Sequence, residues 1–247
     1  MFIVTTKSIQ SWGVRMIDQI KQVVYENCSQ PNVLGVLLMG SVSADAHDQH
    51  SDVDLLVVYQ QSEPVLRLPN AAWKWDVSYI SEKEIKGLQK LSDWRANAFL
   101  TAQIIVDHTT WLPSVIHEIC TLSDQEAERH VTRWLDAYLN AFYRSMKAVR
   151  RNNELGSLLQ ASSSIMCLIN CLFSMNKLIP PYLDRVDILL DRLEHLPMQK
   201  TALSERFAAI SKTANPKDQI ILFRATEKLL RSFGFNQVYG ETSWKMK

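Results

Sequence analysis

Several features are scarce in this chain of 247 residues. It holds only 7 glycines and 8 prolines, which excludes collagen-like and low-complexity classes. Its 27 Lys and Arg residues nearly balance its 26 Asp and Glu residues, so the formal net charge is +1. That balance argues against a strongly basic nucleic-acid coat and against a disordered acidic chain. The hydrophobic content of 47% is that of an ordinary globular protein.

Long apolar runs and cysteine clusters are also missing. The most apolar stretch, residues 165–173, is interrupted by Asn170 and falls short of the roughly 20 residues that span a bilayer. The N-terminus has no basic segment followed by an apolar one, so we expect no secretory signal, no membrane partner and a cytoplasmic location. No second Cys or His pair accompanies Cys167 and Cys171, so we expect all 4 cysteines to be free thiols.

The pattern of hydrophobic residues changes near residue 122. Before it, short β-rich runs alternate with helical segments, and after it nearly every segment has a helical period. We therefore predict an α+β fold, with a mixed β-sheet and helices in a domain at residues 1–122 and an all-α helical bundle at residues 123–247. The predicted strands are 33–39, 53–59, 73–80 and a fourth ending at 104–106, and the predicted later helices are 123–151, 157–176, 183–193, 201–211 and 216–233.

One segment between the first two predicted strands carries chemistry. Gly-Ser at residues 40–41 follows the first strand, and about ten residues later Ser-Asp-Val-Asp at residues 51–54 leads into the second. Residues i and i+2 of a strand point to the same side, so Asp52 and Asp54 present their carboxylates together. Adjacent carboxylates repel one another unless a cation neutralises them, and oxygen ligands of this kind suit Mg²⁺.

This arrangement resembles the nucleotidyltransferase superfamily, which contains DNA polymerase β, poly(A) polymerase and aminoglycoside nucleotidyltransferases. Its motif is Gly-Ser, about ten residues, and then Asp-x-Asp between two strands. Gly40, Ser41, Asp52 and Asp54 match that motif in type and spacing. The resemblance implies Mg²⁺ as cofactor and ATP or another nucleoside triphosphate as a partner. It also implies that Asp52 and Asp54 are catalytic metal ligands and that Gly40, Ser41 and Ser51 bind the nucleotide.

The superfamily usually adds a third carboxylate on a neighbouring strand, and Asp76 in the third predicted strand is the candidate. An unpaired charge buried in an apolar strand costs several kcal/mol, so a carboxylate there needs a partner. The resemblance implies that Asp76 completes the metal site or accepts a proton. The alternative is that Asp76 faces solvent, because its strand alternates between apolar and polar residues.

Two positions depart from the superfamily pattern. Related sequences often carry a basic residue and a glycine after Gly-Ser, where this chain has Ala44 and Asp45. The change supports an alternative in which the protein binds nucleotide, or serves as an interaction protein, without catalysis. A metal hydrolase that also uses His47 and His50 is a further alternative, although phosphate chemistry accounts better for the Gly-Ser turn.

The helical half adds further candidates. Four cations, Arg144, Lys147, Arg150 and Arg151, lie near the end of its first long helix, where they either complement the helix dipole or hold a triphosphate. Residues 176–185 resemble an Asn-x-x-x-Pro-Pro-Tyr segment of antibiotic-adenylyltransferase-like proteins. The resemblance implies that this half binds substrate or nucleotide, with Lys177 and Tyr182 as nucleotide-binding candidates. Arg150 of the cation group is the third candidate.

The expected function is Mg²⁺-dependent transfer of AMP from ATP to a hydroxyl of a small acceptor, with an aminoglycoside-like antibiotic as the lead. A protein adenylyltransferase of the toxin–antitoxin type is the alternative, although such proteins are usually much shorter. A polynucleotide acceptor is disfavoured, because phosphate tracking needs a strongly basic surface. The charge is nevertheless divided: residues 1–122 have 9 basic and 13 acidic residues, whereas residues 123–247 have 18 and 13.

Overall fold

The computed structural model describes residues 6–28, 30–69, 71, 73–90 and 94–236. The chain forms two compact units, Met1–Cys120 and Thr121–Lys247. The first unit contains α1 (Thr6–Asn27), β1 (Val33–Leu38), α2 (Gly40–Ser43), β2 (Val53–Tyr59), β3 (Trp75–Ser81), α3 (Glu82–Lys86), a 3₁₀ helix (Trp94–Thr101), β4 (Gln103–Asp107) and α4 (Leu112–Cys120).

The four strands form one mixed sheet in the order β3-β2-β1-β4. β1 is antiparallel to both of its neighbours, whereas β2 and β3 run parallel. The α+β fold class predicted from the sequence is therefore confirmed. The parallel pair matters for the site, because two parallel strands in register place paired residues on the same face of the sheet.

One face of this sheet holds the hydrophobic core of the first unit. Val53, Leu55 and Val57 of β2 are fully buried there together with Ile20 and Val24 of α1. Successive strand residues point to opposite faces. Asp54 therefore lies on the other face of β2, where the carboxylates described below are placed.

The second unit is helical. It contains α5 (Asp124–Arg150), α6 (Glu154–Met175), α7 (Val186–Leu189), α8 (Lys200–Thr213) and α9 (Pro216–Ser232). The helix predicted at 183–193 is wrong in its length, because 3₁₀ turns flank the short α7 on both sides. The core of the second unit includes Tyr138 and Phe142 of α5, and the Phe142 ring stacks on Phe223 with 4.8 Å between centroids.

Within the described residues, only the helix Glu154–Met175 is long and apolar enough to cross a bilayer. Of its most apolar window, 61% is buried inside the protein, as in the core helix of a globular unit. Leu168 and Leu172 on this helix have no exposed surface. The helix therefore contributes to the core of the second unit.

Candidate active site

The Gly-Ser turn lies directly against the second strand. The Met39 N–H donates to the Asp54 carbonyl oxygen at 2.9 Å. Gly40 follows with φ of +71°, and a Cβ at this position would lie 1.6 Å from Asp54 Oδ2. Any side chain at position 40 would therefore collide with the carboxylate, and glycine also tolerates this left-handed conformation. The turn thus brings backbone and the Asp54 carboxylate together.

The parallel pairing of β2 and β3 brings two predicted site residues side by side. Asp54 is the register partner of Asp76, so the two side chains lie on the same face of the sheet. The pairing starts at the edge of the strands, where the Val53 N–H donates to the Lys74 carbonyl oxygen at 2.9 Å. Asp76 is exposed on this face, as expected for either a metal site or a solvated strand position.

Lys74 is the counter-ion of this carboxylate group. Its Nζ donates to Asp52 Oδ2 at 2.8 Å, and its side chain remains 75% exposed. The hydrogen bond to Asp52 and the charge of that carboxylate raise the pKa of Lys74, with smaller contributions from the charges of Asp76 and Asp54. The ammonium group of Lys74 therefore interacts electrostatically with all three predicted carboxylates.

Lys74 is a residue that sequence reasoning does not single out. The available signal is its spacing, because it precedes Asp76 by two residues and lies immediately before β3. Asp52 and Asp54 on one chain segment thus face Lys74 and Asp76 on the next. We call these four residues the charged face of the first unit.

The charged face fits a divalent cation by its chemistry. Asp52, Asp54 and Asp76 supply carboxylate oxygens, which are the donors that Mg²⁺ prefers. In the described part of the chain, no three His, Cys, Asp or Glu side chains converge as a metal-binding group. Carboxylates without a metal repel one another, and here one of them pairs with Lys74 instead. These three aspartates are the residues that would hold Mg²⁺.

The loop before β2 is held together by another aspartate, Asp48. Asp48 Oδ1 accepts from the His50 N–H at 2.9 Å and from the Ser51 hydroxyl at 3.0 Å. The His50 N–H, followed by the Ser51 hydroxyl, lowers the pKa of Asp48. The Ser51 hydroxyl is thus engaged within the loop, and its contact with nucleotide stays a prediction.

The departure from the superfamily pattern at Asp45 is accommodated by the backbone. Asp45 adopts φ of +56°, which is the left-handed region that glycine favours. Aspartate and asparagine enter this region more readily than other residues with a side chain. The chain therefore makes a glycine-like turn without glycine, whereas the preceding Ala44 is buried and supplies no cation.

The three nucleotide-binding candidates of the helical unit have different surroundings. Arg150 is the exposed last residue of α5. Lys177 pairs with Asp124 at 2.6 Å, and its carbonyl accepts from the Leu122 N–H, so it ties the end of α6 to the start of α5. The Tyr182 ring lies 5.7 Å from the guanidinium of Arg185. Their roles toward nucleotide stay predictions.

Comparison with known proteins agrees with the motif. Residues 17–112 match the family model of the nucleotidyltransferase domain, which supports the resemblance to the nucleotidyltransferase superfamily. A nucleotidyltransferase-like protein from Exiguobacterium sibiricum 255-15 is similar in structure, with a TM-score of 0.44 and 14% identity over 86% of this chain and 75% of that chain. No curated protein matches the chain in sequence.

Proposed function

We propose that this protein transfers AMP from ATP to a hydroxyl group of a small-molecule acceptor and releases pyrophosphate. The nucleotidyltransferase domain supports nucleotidyl transfer in general. The observation that carries the proposal is the pairing of Asp54 with Asp76 directly behind the Gly40 turn. It puts carboxylates and a close backbone approach in one place, as a metal-bound triphosphate requires.

The residues of the chain have separate tasks in this reaction. The backbone at Gly40 and the Ser41 hydroxyl hold phosphate oxygens. Asp52 and Asp54 would hold Mg²⁺, which neutralises the phosphates and lowers the pKa of the acceptor hydroxyl when it is bound. Asp76 takes the proton of that hydroxyl or completes the metal site. The acceptor oxygen bonds to the α-phosphorus as the bond to the β-phosphate oxygen breaks, and pyrophosphate leaves.

The conformation of Asp45 favours an active protein over an inactive relative. The changed residue keeps the left-handed backbone of a glycine turn, so the phosphate-binding loop does not lose its shape. Asp54 and Asp76 also share one face of the sheet, and Asp52 precedes Asp54 by two residues. The proposed reaction is therefore transfer to a small hydroxylated molecule, in the cytoplasm.

ATP labelled at the α-phosphate tests the proposal with Mg²⁺ and a panel of aminoglycosides, lincosamides and purified cell protein as acceptors. We expect label on a small molecule. Asp54→Asn should lower that transfer by at least about a hundredfold, because it removes charge stabilisation at the metal site. Asp18→Asn changes the same charge on the exposed side of α1 and should leave transfer unchanged.

Three results would contradict this function. Label on a protein band alone would favour a protein adenylyltransferase. Full activity in Asp54→Asn would contradict the assignment of Asp54 as a ligand of Mg²⁺. Absence of label on every acceptor, together with unchanged ATP concentration, would favour a protein that does not catalyse transfer.

A further inference from the structure

The helical unit contains a groove lined by cations. Its volume is about 460 Å³, and it lies between the last turns of α5 and the first turns of α6. The residues that line it are Asn140, Tyr143, Arg144, Lys147, Ala148, Arg151, Asn153, Gly156 and Gln160. We call it the cationic groove. Arg150, the predicted candidate, does not line it, whereas its three neighbours Arg144, Lys147 and Arg151 do.

The positive charge of the cationic groove has no counter-charge in the described structure. None of its lining residues is acidic. The facing helix α6 carries a single charged residue, Glu154, which is exposed and outside the lining. No carboxylate among the described residues pairs with Arg144, Lys147 or Arg151. Like charges spaced three and four residues apart on a helix destabilise it, so an external anion bound beside the cluster would stabilise the helix.

The helix dipole does not account for the whole cluster. Cations favour the C-terminal end of a helix, which covers Lys147 in the last turn and Arg151 at the C-cap but not Arg144, nearly two turns from the end. The Arg144 side chain is also held along the helix, because its Nε donates to Asn140 Oδ1 at 3.0 Å. The start of α6, at Asn153 and Gly156, adds the positive end of a second helix dipole.

The spacing of the three cations indicates the size of the anion. Residues 144 and 151 are separated by seven positions, or about 10 Å along a helix. Cations spread over that length of helix can each contact a different phosphate in a chain of two or three linked phosphates. Arginine recognises phosphate through several donors at once, and lysine acts as a compact charge.

We propose that the cationic groove binds a ligand with two or more linked phosphate groups. The same charges repel polycationic molecules such as aminoglycosides. The site goes beyond the proposed transfer reaction and does not depend on it, because every lining residue belongs to the helical unit. The linked phosphates belong either to the nucleotide or to a phosphorylated acceptor, and the experiment separates these two sources.

Titration calorimetry of the full chain with inorganic tripolyphosphate in the presence of EDTA tests the site. We expect binding that weakens by about tenfold or more in the double variant Arg144→Gln, Lys147→Gln. Lys212→Gln is the matched control, since Lys212 is an exposed cation in the last turn of α8 and lies outside the groove. It should bind tripolyphosphate as the wild type does, and Arg144→Lys should retain most of the binding.

The outcomes are separable from those of the transfer reaction. Asp54→Asn should bind tripolyphosphate normally, even if it has lost all transfer. Displacement of tripolyphosphate by ATP would identify the nucleotide as the source, and lack of displacement would identify a second phosphorylated ligand; both results support the site. Equal weakening in Lys212→Gln, no weakening in the double variant, or a polycation that binds the groove more tightly than tripolyphosphate would overturn it.

Discussion

The two units of the chain treat charge in opposite ways. In the first, Asp54 and Asp76 are paired on one face of the sheet, and Lys74 is the counter-ion of the nearby Asp52. In the second, three cations line a groove that contains no acidic residue. The net charge of +1 is an average over these two arrangements. Near-neutrality of a whole chain therefore says little about the ligands of its parts.

The difference also concerns how each site is held. The charged face depends on strand register, which fixes Asp54 beside Asp76 through backbone hydrogen bonds. The cationic groove depends on side chains at helical spacing, of which Arg144 is oriented by Asn140. We expect the first site to tolerate almost no change in its backbone and the second to tolerate single substitutions.

Substitution of two glycines with left-handed backbone should give the largest contrast. Gly40→Ala places a methyl group within 1.6 Å of Asp54 Oδ2, so nucleotidyl transfer should fall below detection. Gly234→Ala, just after α9, meets no atom within 4 Å and should cost only about 1–2 kcal/mol of stability from backbone strain. Transfer assays and urea unfolding measure the two effects. Normal transfer by Gly40→Ala would show that the turn can move away from the carboxylate.

Thiol labelling compares the cores of the two units. Burial raises the pKa of Cys28 in the first unit to about 11 and that of Cys171 in the second to about 12. Because the thiolate is the reactive form, labelling at pH 8 should be slowed by about a hundredfold and a thousandfold, respectively. Raising the pH should speed both reactions until those pKa values are reached. Fast labelling of Cys28 alone would show that the first unit opens more readily.

Removal of the internal counter-ion should strengthen metal binding, and this effect should be smaller than those above. Lys74→Met removes the cation that pairs with Asp52, so Mn²⁺, used as a probe for Mg²⁺, should bind the protein about fivefold more tightly. Lys83→Met, on exposed α3, should leave the affinity unchanged. Electron paramagnetic resonance of free Mn²⁺ measures this without ATP. Weaker binding in Lys74→Met would show that Lys74 helps to hold the metal site together.

Local patterns in the sequence predicted much of the first unit. β2 lies at Val53–Tyr59, where a short apolar run predicts a strand, and Ser81 caps α3 as predicted from the capping box at residues 81–84. The same capping box predicts a helix that runs to about residue 91, but α3 ends at Lys86, with Gly87 at its C-cap. α4 at Leu112–Cys120 was missed, because a nine-residue helix with an early proline offers little periodic signal.

The charged face could be predicted only in part. The spacing of Asp52 and Asp54 is local, so their shared orientation follows from the period of a strand. The resemblance to the superfamily points to Asp76, but its exact pairing with Asp54 depends on the parallel register of β2 and β3, which joins residues 22 positions apart and leaves no local signal. The role of Lys74 is hidden for the same reason, since its partner Asp52 is contacted only after the strands have paired.

Binding of ATP tests the charged face most directly, because it needs no knowledge of the acceptor. Calorimetric titration of ATP into the full chain should show binding in the presence of Mg²⁺ that weakens strongly in EDTA. In Asp54→Asn that dependence on Mg²⁺ should vanish, whereas Asp18→Asn should behave as the wild type. Equal, Mg²⁺-dependent binding of ATP by the wild type and Asp54→Asn would contradict the assignment of these carboxylates to a metal-bound nucleotide.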